Sequence, residues 1–318
     1  MGAPAVDAFI SQHLKGVSRT YAILIPMLPA RLSEPVGLAY LLLRIIDTLE
    51  DTTALTNVER VAWLGRWDAA LAQPGEARAS LVVDLGESDA ERALMRDSDL
   101  ALSRLAQLDP PTQAPVALCA RKMIGGVLGM LARSEARRVP YPATRDSAEL
   151  RAYCYFVAGV VGEMLCELMA AYLRQPALMR FRPVAIELGI GLQLVNILKD
   201  ALKDSTQGRR YLPTNVAGAV SRSEVYRAVL EEARTSLRKG AEFVMALPAT
   251  AWELRSFCGL PIAWGAMTLR RAERDARRAK ISRKAVEGSI TRFHSLAQDD
   301  RALRAWLDRL LHARVERA

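Results

Sequence analysis

Histidine and cysteine are scarce in this chain, with three of the former and four of the latter in 318 residues, and aromatic residues make up only 6%. The cysteines (Cys119, Cys154, Cys166, Cys258) are scattered rather than paired. That spacing excludes a zinc finger or ribbon and reads as buried, reduced thiols of a cytosolic protein. Any bound metal therefore has to be held by oxygen. A nucleotide-binding glycine fingerprint is also missing, since Gly189-Ile-Gly-Leu-Gln-Leu194 lacks the third glycine and follows no strand-like run. Strand alternation of useful length, internal repeats, low-complexity tracts and domain linkers are absent as well. The longest apolar stretch, Ala152 to Leu173, is interrupted by Glu163 and Glu167. Two carboxylates near its middle favour a helix through a protein core over a bilayer span. No charged-then-apolar leader opens the chain, so a cytoplasmic location is expected, with attachment to a membrane surface left open.

What is present is a globular mixture, 51% hydrophobic and 25% charged, in which Ala, Leu, Arg and Glu dominate and favour helix. The net charge is +9. Basic residues are spread along the chain, with some excess between Arg270 and Arg283. Without an RNP-like aromatic motif or a lysine tail, nucleic acid is not expected as a partner. A basic enzyme acting on phosphorylated or membrane-derived substrates fits the same charge. Helical periodicity predicts helices at 4–15, 18–28, 35–51, 57–72, 90–107, 113–133, 147–173, 180–204, 222–246, 250–279, 284–295 and 299–315. The expectation is a single all-α domain over 1–318.

Two segments carry chemistry. In Leu38–Asp51, Tyr40, Arg44, Asp47 and Asp51 fall at i, i+4, i+7 and i+11, one stripe on a helix otherwise apolar nearly all round, with Glu50 beside it. In Gly191–Asp204, Gln193, Asn196, Asp200 and Asp204 form a similar stripe on another apolar helix. Carboxylates grouped on buried helices are costly unless cations compensate. Mg2+ suits them, because it is held by a few carboxylates together with water and phosphate oxygens. Facing helices of a bundle can bring two such sets together across a cavity and clamp a diphosphate. Arg19, Arg44, Lys199, Arg209 and Arg210 lie in or beside these segments and can serve phosphate oxygens.

Asp47-Thr-Leu-Glu-Asp51 with Arg44, and Asn196 to Asp204 followed by Gly208-Arg-Arg-Tyr-Leu-Pro213, resemble the two aspartate-rich motifs of the squalene/phytoene synthase family. Tyr153-Cys-Tyr-Phe-Val-Ala-Gly-Val-Val-Gly162 resembles that family's central tyrosine-containing helix, and Ser18-Arg-Thr-Tyr21 its N-terminal element. The likeness covers about residues 15–285. It implies the isoprenoid-synthase helical bundle with a central cavity, and head-to-head condensation of two allylic diphosphates through a cyclopropyl diphosphate. By position, Asp47, Glu50, Asp51, Asp200 and Asp204 would bind two or three Mg2+ ions. Ser18, Arg19, Tyr21, Tyr40, Gln193, Asn196, Lys199 and Arg209 would position the diphosphates. Arg44 would stabilise the departing charge, and Tyr153 would transfer a proton or stabilise a cation.

The first acidic motif and the Tyr153 block look closer to squalene synthases than to phytoene synthases, whereas Gly208–Pro213 is nearer the bacterial phytoene and presqualene-diphosphate type. Lys280-Ile-Ser-Arg283 resembles a basic segment near the NADPH site of squalene synthases. The resemblance thus implies reductive condensation of two farnesyl diphosphates to squalene with NADPH. Dehydrosqualene, phytoene and presqualene diphosphate remain open as products, as do a non-catalytic assembly or lipid-binding role and a monomeric or homodimeric state.

Overall fold

The computed structural model describes residues 7–76, 79–139, 141–206, 208–214 and 221–312. Among them no β-strand forms, and an isolated parallel bridge joins Ala143 to Arg210. The chain is all-α, as expected. It packs as two compact units, one of residues up to Gly129 with Glu167–Gln175, the other of Met130–Cys166 with Pro176 onward.

In the first unit, α1 (Ala8–Val17), α2 (Tyr21–Leu24), α3 (Ala30–Asp51), α4 (Asn57–Ala72), α5 (Asp89–Arg96) and α6 (Ser98–Gln107) precede the start of α7 (Pro110–Arg137). Leu38, Leu41, Leu42, Ile45, Ile46 and Leu49 of α3 are buried, and α1, α4, α5 and α6 all pack on this helix. Burial of six such side chains, each contributing about 1.5–3 kcal/mol, makes α3 the axis of the unit. Its C-terminal end is held by a buried arginine from α4. Arg60 donates to the carbonyls of Leu49 (3.1 Å) and Thr52 (2.7 Å), which have no partner within the helix. The guanidinium also places positive charge at the negative end of the α3 dipole.

In the second unit, α8 (Ser147–Cys154), a π-helical turn (Tyr155–Gly159) and α9 (Val160–Leu173) form one continuous helix from 147 to 173; α9 itself runs on into the first unit from Glu167. Next come α10 (Arg182–Thr206), α11 (Arg222–Ala246), α12 (Trp252–Arg274), α13 (Arg283–His294) and α14 (Asp300–His312). The Tyr226 hydroxyl donates to the Leu198 carbonyl (3.1 Å), and the Ser236 hydroxyl donates to Glu187 (2.8 Å), so α10 and α11 run antiparallel. Arg234 pairs with Glu273, and Val244 lies near Gly259, which makes α11 and α12 antiparallel too. It follows that α10 and α12 are parallel. The 147–173 helix crosses α10 backbone against backbone. A Cβ on Gly162 would stand 2.0 Å from the Ala185 carbonyl oxygen, and one on Gly189 2.1 Å from that of Ala158. Glu187 accepts from Arg151 (2.6 Å), Ser236 and Lys239 (3.0 Å), tying α8, α10 and α11 at one buried carboxylate.

Helix boundaries differ from expectation mainly at prolines and at one cap. The segment Pro29–Pro35 reads as a loop, yet α3 starts at Ala30 with Pro29 as its cap. Pro35 removes one intrahelical hydrogen bond, which burial of Leu32, Val36 and Leu38 outweighs. Likewise α7 starts at Pro110 rather than 113, since prolines in a first turn lack only N–H groups that would be unpaired anyway. The expected 90–107 helix divides at Asp97, whose N–H closes on the carbonyls of Ala93 and Leu94. The 250–279 helix ends at Arg274 and continues only as a short 3-10 turn, Ala276–Arg278. Positions 4–6 and 313–315 of the expected terminal helices lie outside the described residues. By length and composition, Pro110–Arg137, Ser147–Leu173 and Pro176–Thr206 are each long and apolar enough to cross a membrane, and half or more of each apolar window is buried within the protein.

Candidate active site

The first unit gathers the N-terminal element and the first acidic stripe. Ser18 accepts the backbone N–H of Tyr21 (2.9 Å), and the Tyr21 and Tyr40 rings meet with centroids 5.2 Å apart. The Tyr40 hydroxyl donates weakly to the Val17 carbonyl at 3.4 Å, and burial raises its pKa. Arg19, in contrast, is exposed. One turn along from Tyr40, Arg44 pairs with Glu91 of α5 and lies 3.9 Å from Asp47. Desolvation opposes the charge of Arg44, but Asp47, Glu91 and Tyr40 outweigh it and hold its pKa above the ordinary value. Its Nε–H is buried and has no acceptor among the described residues.

Glu91 does not stand out in the sequence. It reads there as the acid of a Ser88-x-x-Glu91 capping box, and it does fill that role, accepting the N–H groups of Glu87 (2.9 Å) and Ser88 (3.1 Å). Its other oxygen takes Arg44. Desolvation raises the Glu91 pKa, yet Arg44 and the two amides more than offset this and leave it below the usual value. Arg44 is thereby committed to Glu91 and neutralises Asp47 only at a distance.

The result shows at Asp47. Its side chain is 39% accessible, but the surrounding protein desolvates it. That desolvation, with Asp51 and Glu91 adding to it and Arg44 opposing, pushes its pKa up to about 7. Asp51 is half-buried, whereas Glu50 is only 3% exposed and is withdrawn from solvent. No group of three or more His, Cys, Asp or Glu side chains forms a protein-only metal cage among the described residues. The donor set suits a hard cation held by one or two carboxylates and completed by phosphate oxygens and water.

In the second unit, α10 carries Gln193, Lys199, Asp200 and Asp204 half-buried and Asn196 exposed, while Leu194, Val195, Ile197 and Leu198 are buried. The Lys199 ammonium sits 3.1 Å from Asp200 and donates to Asn196 Oδ1 (3.2 Å), so it serves the stripe directly. Past the helix end, the Arg209 N–H donates to the Asp204 carbonyl (2.9 Å). Tyr153 is the second-last residue of α8, close before the π-helical turn, a local widening frequent at functional positions, and its ring stacks on Tyr211, centroids 5.1 Å apart. Lys280 and Arg283 are exposed. The 3-10 turn shortly before them packs on α10, the helix of Asp200 and Asp204.

Solved structures share this architecture. TcSQS bound to the ligand E5700 superposes with a TM-score of 0.79 at 20% identity, over 95% of this chain and 89% of that one. A dehydrosqualene synthase in complex with ligand gives 0.60 at 19%, over 91% and 95%. The fold is that of the squalene synthase structures. A family model described as squalene/phytoene synthase matches residues 14–292, and the chain belongs to that family. Its relatives include squalene synthase BSS of Botryococcus braunii, 28% identical over 214 residues (66% of this chain, 44% of that protein). Another is the squalene synthase of Mycosarcoma maydis, 29% identical over 202 residues (63% and 34%). The matched region spans less than half the length of these relatives.

Proposed function

We propose that the whole chain acts as one catalytic domain, a prenyltransferase that joins two farnesyl diphosphates head to head. The reading adds that Mg2+ assists and that NADPH allows the product to be squalene. One observation carries it: the Asp47 carboxylate, pushed up to about 7 by its surroundings, lies beside an Arg44 whose Nε–H lacks an acceptor among the described residues. A diphosphate accompanied by divalent cations answers both deficits at once.

Bound through Asp47, Glu50 and Asp51 and through Asp200 and Asp204, Mg2+ would neutralise charge that grows on the departing diphosphate. Arg44 donates its unused Nε–H to a diphosphate oxygen, and this interaction strengthens as the allylic C–O bond breaks. Ser18, Arg19, Tyr21 and Tyr40 orient the diphosphate served by α3. Gln193, Asn196, Lys199 and Arg209 do the same for the one served by α10. In the first half-reaction, C1 of one farnesyl group loses diphosphate and is attacked by the double-bond electrons of the other. Loss of one proton then closes the cyclopropane, giving one cyclopropyl diphosphate, one free diphosphate and one proton. Tyr153 stands with its phenol to stabilise the cation or receive that proton, with the released diphosphate as final acceptor. NADPH would supply a hydride for the reductive second half, with Lys280 and Arg283 as cations for its phosphates. Support for that placement comes from the parallel run of α10 and α12, which sends the basic segment toward the Asp200–Asp204 end of α10.

The net charge of +9 and substrates with apolar tails agree with a cytoplasmic enzyme, monomeric or homodimeric, working at a membrane surface. The test is product identification from farnesyl diphosphate and Mg2+, with and without NADPH, with geranylgeranyl diphosphate in parallel. Squalene formed only with NADPH is expected. Dehydrosqualene, phytoene or an arrested cyclopropyl diphosphate would move the chain to another product class. No diphosphate release from either substrate would point to the non-catalytic role and refute the proposal.

A further inference from the structure

Tyr211 follows the second acidic stripe by one short loop, and three features fix its position. Its ring stacks on Tyr153 with an interplanar angle of 27°, and both residues are nearly enclosed, at 8% and 7% exposure. Its backbone is clamped to the segment that leads into α8. The Thr144 hydroxyl donates to the Tyr211 carbonyl (2.6 Å), the Thr144 N–H to the Arg210 carbonyl (3.2 Å), and the Arg210 N–H to the Pro142 carbonyl (3.0 Å). At the other end of the loop, Gly208 turns the chain at φ +79 and the Arg209 N–H returns to the Asp204 carbonyl. The Gly208–Tyr211 loop is thus hydrogen-bonded at one end to Asp204 and at the other to the segment beside Tyr153.

We propose that Tyr211 is a positioning residue for Tyr153, and that the Gly208–Tyr211 loop transmits the state of the Asp200–Asp204 stripe to that phenol. The inference rests on the role of Tyr153 in the first condensation. Tyr153 is the second-last residue of α8, separated only by Cys154 from the π-helical turn, so the backbone ladder on its C-terminal side is altered. A flat neighbour at stacking distance removes the rotational freedom that this leaves to the ring. Because α10 and the Thr144 segment both hold the loop, a displacement at Asp204 moves Tyr211 against Tyr153 rather than being absorbed in solvent. Misplacement of a reacting group by about 1 Å can cost about 100-fold in rate.

The experiment compares Tyr211→Leu, Tyr211→Phe, Thr144→Val and Tyr153→Phe with the unaltered chain, following diphosphate release and cyclopropyl diphosphate formation without NADPH. Tyr211→Leu should lower kcat by about 10- to 100-fold while KM and the affinity for Mg2+ and inorganic diphosphate stay within about twofold. Tyr211→Phe, which keeps the stacked ring, should remain within about threefold of the unaltered kcat. In the Tyr153→Phe background, Tyr211→Leu should add almost nothing, as coupled residues do. The proposal is overturned by a Leu variant with unchanged kcat, by equal losses in the Leu and Phe variants, by a loss confined to KM, or by additive effects in the double variant. If Tyr211→Leu loses its helical circular dichroism, Thr144→Val decides. A fall in kcat with unchanged KM supports the coupling, and an unchanged kcat refutes it. An inactive unaltered chain would instead refute the prenyltransferase assignment, so the two failures are told apart.

Discussion

Replacing Asp47 by Asn should stabilise the metal-free protein while disabling it. The ionised carboxylate is disfavoured in the fold, with a pKa of about 7 against an ordinary 3.8. Below about 4 the aspartate is protonated in folded and unfolded chains alike, and no penalty exists. Between about 4 and about 7 the unfolded chain releases the proton and the fold keeps it, so stability falls as pH rises, and above about 7 the penalty is complete. The full gap corresponds to a ceiling of about 4 kcal/mol. With 39% of the side chain open to solvent, screening reduces this to about 1–2 kcal/mol. Thermal unfolding at pH 8 without divalent ions should therefore give Asp47→Asn a Tm higher by about 2–5 °C, an advantage that shrinks toward zero at pH 4. Adding Mg2+ with inorganic diphosphate should reverse the order, because only the carboxylate gains from the cation, and turnover of the variant should be lower by about 100-fold or more. A Tm advantage that is absent at pH 8, or that is the same at both pH values, would refute the reasoning.

Other perturbations probe separate parts of the structure. Arg44→Lys keeps the charge but loses the planar donor fork, and should lower kcat/KM by about 100-fold in a diphosphate-release assay. Glu91→Gln should cost about tenfold in the same assay, because Arg44 then loses its charged anchor; unchanged kinetics would show that Glu91 only caps α5. Gly162→Ala forces a Cβ against the Ala185 carbonyl oxygen and should cost at least about 2–3 kcal/mol in denaturant unfolding. Arg60→Met strands the carbonyls of Leu49 and Thr52 and should cost about 2–4 kcal/mol. Chelation of divalent ions should abolish turnover and Mg2+ should restore it, with persistent turnover excluding the proposed role of Asp47 and Asp200.

Periodicity alone gave α4 and α11 to the residue and the 147–173 helix at both ends, because each is a long amphipathic or apolar run bounded by clear caps or breakers. It failed where proline reads as a stop but sits in or near a first turn, as at Pro35 and Pro110. The stripes were legible because side chains at helical spacing share a face, and Ser18, Tyr21 and Tyr40 do meet in space. What sequence could not supply was the competition for Arg44. Glu91 lies on another helix and looks like an ordinary cap, so neither its hold on Arg44 nor its contribution to the Asp47 pKa follows from any local pattern. Tyr211 was visible as part of a motif, but its stack on Tyr153 depends on a loop returning to the 141–144 segment, a long-range pairing that spacing does not encode.

The backbone-on-backbone crossing at Gly162–Ala185 and Gly189–Ala158 also limits how members of such a lineage can diverge. With no side chain between the two helices there, neither can slide or tilt without a clash, and no substitution at that point can enlarge or shrink the space for a tail. On the proposed prenyltransferase reading, preference for shorter or longer prenyl chains has to be tuned away from this crossing, while the weld between the two helices stays constant.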